Sequence, residues 1–102
     1  MDGIEMICFK MISQVGAARS SYMEAIAAAK AGQFDQAKQL VEIGEQQRMN
    51  GHDVHFELLQ QDSQGQSPQF SLLLMHAEDQ LMSAELLKIV AEELIAVYQR
   101  LA

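Results

Sequence analysis

Residues 70–101 read FSLLLMHAEDQLMSAELLKIVAEELIAVYQRL, and this segment sets the architecture of the chain. It has 20 apolar residues among 32 and contains neither proline nor glycine, which favours one continuous α-helix. At 1.5 Å per residue such a helix is about 48 Å long. Because its apolar residues lie around most of its circumference, the helix must be buried on more than one side.

Two earlier segments, residues 4–31 and 35–61, have the apolar spacing of amphipathic helices. The first carries a stripe formed by Ile4, Ile7, Met11, Val15, Ala18, Tyr22, Ala25 and Ala29. The second carries a weaker stripe formed by Phe34, Ala37, Val41, Gly44, Met49 and Phe56. Gly32 suits the left-handed position that ends the first helix, and Asp35 is predicted to cap the second.

Residues 62–69, DSQGQSPQ, form the one predicted loop of any length, and Ser67-Pro68 is predicted to open the third helix. No segment alternates as a strand would. The short connections predict an all-α fold, an antiparallel three-helix bundle, with residues 1–102 as a single domain.

The third helix is predicted to drive self-association, because two neighbouring helices cover only one of its sides. We expect third helices to pack together around a symmetry axis. One stripe on this helix comprises Leu73, His76, Gln80, Ser83, Leu87, Val90, Leu94, Val97 and Leu101. The other comprises Leu72, Met75, Asp79, Met82, Leu86 and Ile89. Polar residues that interrupt apolar stripes in this way tend to mark function.

The composition excludes several classes of protein. Seven Lys and Arg against fourteen Asp and Glu give a net charge of −7, which disfavours binding to nucleic acid or anionic lipid. An apolar fraction of 49% is too high for a disordered acidic chain. The single cysteine, Cys8, fits a reducing compartment, and no run approaches the length of a membrane helix. A basic signal-peptide start is also missing, so we expect a cytoplasmic protein.

His76 has two interpretations: a histidine at the edge of a helix interface, or a nucleophile whose neutral imidazole nitrogen attacks and is later released. Asp79, three residues on, is its neighbour on the helix surface. Glu78 lies about 200° round the helix from His76, so it is expected in solvent or across a subunit boundary. The sequence has no GxSxG motif, so a hydrolase of that type is not indicated. It also has no glycine-rich phosphate loop, so nucleotide binding of that kind is not expected.

Two further features concern ligands. His52 and His55 form an HxxH pair that could bind zinc, but no thiolate or third histidine completes a site at a suitable spacing. No basic residue lies between Arg48 and Lys88, so the chain is expected to offer no phosphate clamp near His76. A phosphorylated site would then draw its positive charge from a docked partner protein.

The string LLLMHAEDQLMSA at residues 72–84 resembles the active-site helix of the lactose/cellobiose-family enzyme IIA of the bacterial phosphoenolpyruvate-dependent sugar phosphotransferase system, whose pattern is close to LLxxHAQDHLMTA. GAARSSYMEA at 16–25 is similar to the family's GxARSxxxEA segment, and AKAGQF at 29–34 to its AxxGDF turn. AEEL at 91–94, with Tyr98, resembles its C-terminal end, so the likeness covers about residues 4–102.

This resemblance implies a homotrimer assembled through the C-terminal helix, with a phosphohistidine at His76. The phosphocarrier HPr would be the donor, a IIB component the acceptor, and the IIC membrane permease an indirect partner. Gln80 and Glu78 would support the site. Asp79 would point to the trimer axis and share a metal ion, Mg²⁺ by expectation. Three carboxylates about 5 Å apart repel by about 3 kcal/mol per pair at an effective dielectric of 20, which favours a shared cation.

Three positions depart from the family pattern. Glu78 stands where glutamine is usual, Gln80 where histidine is usual, and the helix-two pattern AHxxQ reads Gly51-His52-Asp53-Val54-His55. The alternative to a phosphocarrier is a noncatalytic helical oligomerisation or regulatory module that retains the fold. A histidine phosphotransfer domain of two-component signalling would also be helical, but its usual Lys-Gly after the histidine is missing.

Overall fold

A computed structural model describes residues 3–66 and 69–102, which form three α-helices and, within those ranges, no strand. Helix α1 spans Gly3–Lys30, α2 spans Phe34–Ser63 and α3 spans Leu72–Leu101. The predicted helices are therefore confirmed, with every end within two residues of its expected place. Together they make a rod of 53 × 24 × 19 Å.

The helix ends follow the predicted signals only in part. Gly32 has a φ of 81°, the left-handed conformation expected after α1. The prediction that Asp35 caps α2 is wrong: the cap position is Gln33, whose side chain makes no capping hydrogen bond. Because α2 starts at Phe34, Asp35 falls inside its first turn, where a carboxylate still interacts favourably with the helix dipole.

Helix α3 begins at Leu72, two residues later than predicted. Its cap is Ser71, whose hydroxyl accepts a hydrogen bond from the backbone N–H of Leu74 at 3.1 Å. The predicted opening at Ser67-Pro68 lies outside the described residues.

Side-chain contacts between α1 and α2 show that these helices run antiparallel. Near the middle of α1, the Ser21 hydroxyl donates to Oε1 of Gln47 at 2.7 Å. Towards the start of α1, Gln14 accepts from Nδ2 of Asn50 at 3.3 Å. A lower number on α1 therefore pairs with a higher number on α2, as in the predicted bundle.

An ion network joins α2 to α3 in the same antiparallel sense. Arg48 on α2 contacts Glu45 at 2.7 Å and Glu85 of α3 at 3.8 Å. Lys88 of α3 reaches back to Glu45 at 3.4 Å and also lies 3.6 Å from Glu92 on its own helix. Hydrogen bonding from Arg48 lowers the pKa of Glu45, so this carboxylate is held in its charged form.

The core confirms the stripe on α1, whose members from Met11 to Ala29 are buried. The stripe predicted on α2 is partly wrong, because Met49 and Phe56 are exposed. The buried residues of α2 are Ala37, Gly44, Gly51 and Leu58. From α3 the core receives Leu74, Ala77, Leu81, Ala84 and Ala91.

Two glycines explain why α2 is rotated away from the predicted stripe. A Cβ atom on Gly44 would lie 2.6 Å from Cε1 of the fully buried Tyr22, and one on Gly51 would lie 2.9 Å from Cγ2 of Val15. Both distances are too short for real side-chain contacts. The glycines therefore allow α1 to pack directly against the backbone of α2, although glycine lowers helix propensity.

The buried Tyr22 ring predicts a loss of stability at high pH. Burial, reinforced by the Glu45 carboxylate, raises the pKa of Tyr22 to about 12 from 10.0. Because the pKa of Tyr22 is higher in the folded state than in the unfolded state, its neutral hydroxyl contributes fully to stability below pH 10. This contribution is lost as the pH rises towards 12. We expect a fall on the order of 2 kcal/mol in the free energy of unfolding, measured by urea titrations across this range. Tyr22→Phe should remove that part of the pH dependence, and an unchanged slope would contradict the assignment.

Candidate functional site

His76 lies on the exposed surface of α3, one turn after the Ser71 cap. Leu74, Ala77 and Leu81 are buried and fix the rotation of the helix. This rotation turns His76 outward, and no described residue forms a hydrogen bond with its imidazole. The ring is therefore accessible to another protein.

Gln80 lies one helical turn after His76 and is partly buried. Its side-chain oxygen accepts a hydrogen bond from Nη1 of Arg19 on α1. This contact corrects the expectation that the chain offers no positive charge near His76. The expectation was based on the interval between Arg48 and Lys88. Arg19 lies outside that interval, on another helix and 61 residues before Gln80 in the sequence. The only sequence signal for it was its place in the GAARS segment.

Glu78 faces α2. The Nε2 atom of His55 donates to the Glu78 carboxylate, at 2.8 Å from each of its oxygens. The prediction that Glu78 lies in solvent or across a subunit boundary is therefore wrong in part: its side chain is 38% exposed, but it has a partner within its own chain. The two side chains tie the C-terminal half of α2 to the turn of α3 that bears His76.

This contact joins two of the departures from the family pattern. Where the pattern has glutamine on α2 the chain has His55, and where it has glutamine on α3 the chain has Glu78. In this chain the two residues supply a donor and an acceptor that meet at this position. His55 is thereby engaged with Glu78, while His52 is exposed. Within residues 3–66 and 69–102, no group of three His, Cys, Asp or Glu side chains could hold a metal ion.

Asp79 lies on a side of α3 that α1 and α2 leave uncovered, here called the open face. The apolar residues of the open face are Leu72, Met75, Met82, Leu86 and Ile89. Leu72 is 82% exposed and Leu86 is 63% exposed, so the expected uncovered stripe is confirmed for a single chain. Asp79 is exposed in a groove between Met75 and Met82, and one chain supplies a single carboxylate there.

None of the helices in the described part of the chain is long and apolar enough to span a lipid bilayer.

Comparison with known proteins identifies the family. Residues 6–99 match the family model for the lactose/cellobiose-specific IIA subunit of the phosphotransferase system (PTS). An oligo-β-mannoside-specific EIIA component of Bacillus subtilis is 40% identical over 93% of this chain and 86% of its own length. A lactose-specific EIIA component of Staphylococcus epidermidis is 35% identical over 97% and 95%.

The fold agrees with this result. The crystal structure of a cellobiose-specific enzyme IIA from Bacillus anthracis superimposes with a TM-score of 0.97 at 36% identity, and the match covers 99% of this chain and 93% of that one. The three-helix bundle and the motif around His76 therefore lead to one conclusion: the chain belongs to the lactose/cellobiose-specific IIA family of the phosphotransferase system.

Proposed function

We propose that this chain is a cytoplasmic phosphocarrier of a sugar phosphotransferase system of the lactose/cellobiose/diacetylchitobiose type. His76 accepts a phosphoryl group from phosphorylated HPr and passes it to a IIB component, which serves uptake of the sugar through the IIC permease. The observation that carries this proposal is the exposed His76 imidazole in the HAEDQ motif of a chain that belongs to this family. The relatives are named for oligo-β-mannosides, lactose and lichenan, so the sugar class is a β-linked saccharide.

The proposed reaction is an in-line transfer between two proteins. An unprotonated nitrogen of His76 attacks the phosphorus of the donor's phosphohistidine, and a new P–N bond forms as the donor's P–N bond breaks. The donor imidazole leaves with its nitrogen lone pair restored, so no net proton is moved. The outward position of His76 suits this chemistry because a docked protein can bring its own phosphorylated side chain in line with the ring.

A direct assay tests the phosphocarrier proposal. The purified chain is incubated with phosphoenolpyruvate, enzyme I and HPr, and the site of phosphorylation is mapped by mass spectrometry under conditions that preserve phosphohistidine. We expect label on His76, followed by its loss when the cognate IIB component is added. If HPr is phosphorylated and the chain is not, the phosphocarrier function is refuted and the noncatalytic module takes its place.

We further propose that three copies associate through the open face of α3. Its exposed leucine, methionine and isoleucine side chains form an apolar surface, interrupted by Asp79, of the kind that subunit interfaces cover. Light scattering at micromolar concentration is expected to give the mass of a trimer. A monomer under these conditions would contradict this arrangement.

A shared cation at the trimer axis fits the chemistry of the open face. Three Asp79 carboxylates, one from each chain, would supply hard oxygen ligands of the type that Mg²⁺ prefers. The ion would neutralise carboxylates that otherwise repel one another inside an apolar interface. In this arrangement the metal is structural, and the phosphoryl transfer does not use it.

Asp79→Leu tests this role of the carboxylate. We expect the variant trimer to resist dilution and heat better than the wild type and to show no response to EDTA, because the repulsion is replaced by apolar contact. Sedimentation with and without EDTA measures both effects. Glu93→Gln, which removes an exposed acid elsewhere on α3, should keep the wild-type response. If Asp79→Leu responds to EDTA as the wild type does, Asp79 does not hold the metal.

A further inference from the structure

We propose that Arg19 binds the phosphoryl group carried on His76 and that Gln80 is the residue that positions it. This inference rests on the proposed phosphocarrier function and adds a residue of α1 to a site otherwise built on α3. It starts from the hydrogen bond that Nη1 of Arg19 donates to the side-chain oxygen of Gln80.

The helix geometry places Arg19 within reach of His76. Positions four apart on an α-helix are surface neighbours with Cβ atoms about 5–6 Å apart, so Gln80 lies directly beside the imidazole. The guanidinium that meets Gln80 is thus held about one side chain away from the ring. A guanidinium has five N–H donors, and the contact with Gln80 uses one of them. The others can donate to phosphoryl oxygens without breaking that contact.

The positive charge of Arg19 is also available to the phosphoryl group. Its partner Gln80 is neutral, and none of the ion pairs formed by the described residues includes Arg19. By contrast, Arg48 and Lys88 are committed to glutamates of α2 and α3. A chain with a net charge of −7 that acquires a phosphoryl dianion near Asp79 needs a cation at that point. Arg19 supplies one from within the chain.

The group transfer itself is unchanged by this role. The P–N bond forms on His76 and breaks on the donor as described above, and Arg19 contributes N–H donors without giving up a proton. Its hydrogen bonds stabilise charge on the phosphoryl oxygens both during transfer and in the phosphohistidine. An exposed hydrogen bond between two helices would instead matter only for stability.

The test compares Arg19→Gln with Arg100→Gln, a matched control that removes the same charge from an exposed arginine in the last turn of α3. The full-length proteins are phosphorylated by HPr in single-turnover experiments. We expect Arg19→Gln to slow the transfer step about 10- to 100-fold at saturating donor. Arg19→Lys should recover part of the rate, because lysine keeps the charge and loses the forked geometry.

Two further readouts separate phosphoryl binding from docking and from folding. In Arg19→Gln we expect the ³¹P resonance of the phosphohistidine to shift and the rate of phosphohistidine hydrolysis to change. The midpoint of thermal unfolding should stay close to that of Arg100→Gln. Gln80→Leu should give a weaker version of the same changes, since Arg19 remains but is no longer held.

The possible failures are distinguishable. If the wild-type chain takes no phosphoryl group from HPr, both the phosphocarrier function and this inference are refuted. If the wild type is phosphorylated and Arg19→Gln matches Arg100→Gln in rate and ³¹P shift, only the role of Arg19 is overturned. A higher KM for HPr with an unchanged transfer rate and ³¹P shift would place Arg19 on the docking surface and would also overturn it.

Discussion

His76→Gln is expected to abolish phosphorylation of the chain by HPr. Glutamine keeps much of the volume and polarity of histidine but has no ring nitrogen that can attack phosphorus. Because His76 is exposed, the substitution should change the free energy of unfolding by only about 0.5 kcal/mol. Mass spectrometry measures the label and circular dichroism checks that the variant is folded. Loss of the label from a folded variant would therefore report on the chemistry alone.

The other two histidines of the chain provide matched controls. His52→Gln removes an exposed ring from α2, and His55→Gln removes the partner of Glu78. Both variants should still be phosphorylated, although His55→Gln also tests whether its contact with Glu78 is needed to place α3. If the label persists in His76→Gln, the acceptor is another residue and the proposed site is wrong.

Gly44→Val is expected to cause the largest loss of stability, about 3 kcal/mol or more from a total that is typically 5–15 kcal/mol. A Cβ atom at this position already lies 2.6 Å from the Tyr22 ring, and the branched methyl groups of valine add further volume. Tyr22 is fully buried, so moving its ring would disturb the close-packed core around it. Urea denaturation at neutral pH measures the effect.

Gly16→Val is the control for helix propensity. Gly16 lies inside α1, and beyond its chain neighbours and the backbone of its own helix a Cβ atom there meets nothing within 4 Å. Replacing this glycine should therefore leave the free energy of unfolding within about 0.5 kcal/mol of the wild type. If both variants are equally stable, the close approach of α1 to α2 at Gly44 does not constrain the fold.

The helices and the family could be predicted from the sequence because both are local properties of the chain. Apolar spacing within one segment is enough to predict a helix, and Gly32 indicated where α1 ends. The excess of apolar residues on α3 likewise predicted an uncovered face without reference to its neighbours, and Leu72 and Leu86 lie on that face. The motif around His76 is continuous in sequence, so the family pattern was visible before any contact was known.

The contacts between helices were decided only by the tertiary structure. The rotation of α2 depends on where α1 can approach most closely, and Gly44 and Gly51 permit an approach that places Met49 and Phe56 outside.

Arg19 meets Gln80 across 61 residues, and His55 meets Glu78 across 23. Spacing along one helix cannot reveal such pairs, because the phase and register of two helices follow from the packing of all three. By itself, therefore, the sequence determined the three helices, the family and the histidine that we propose as phosphoryl acceptor. Packing decided which side chains of α1 and α2 meet the part of α3 that bears that histidine.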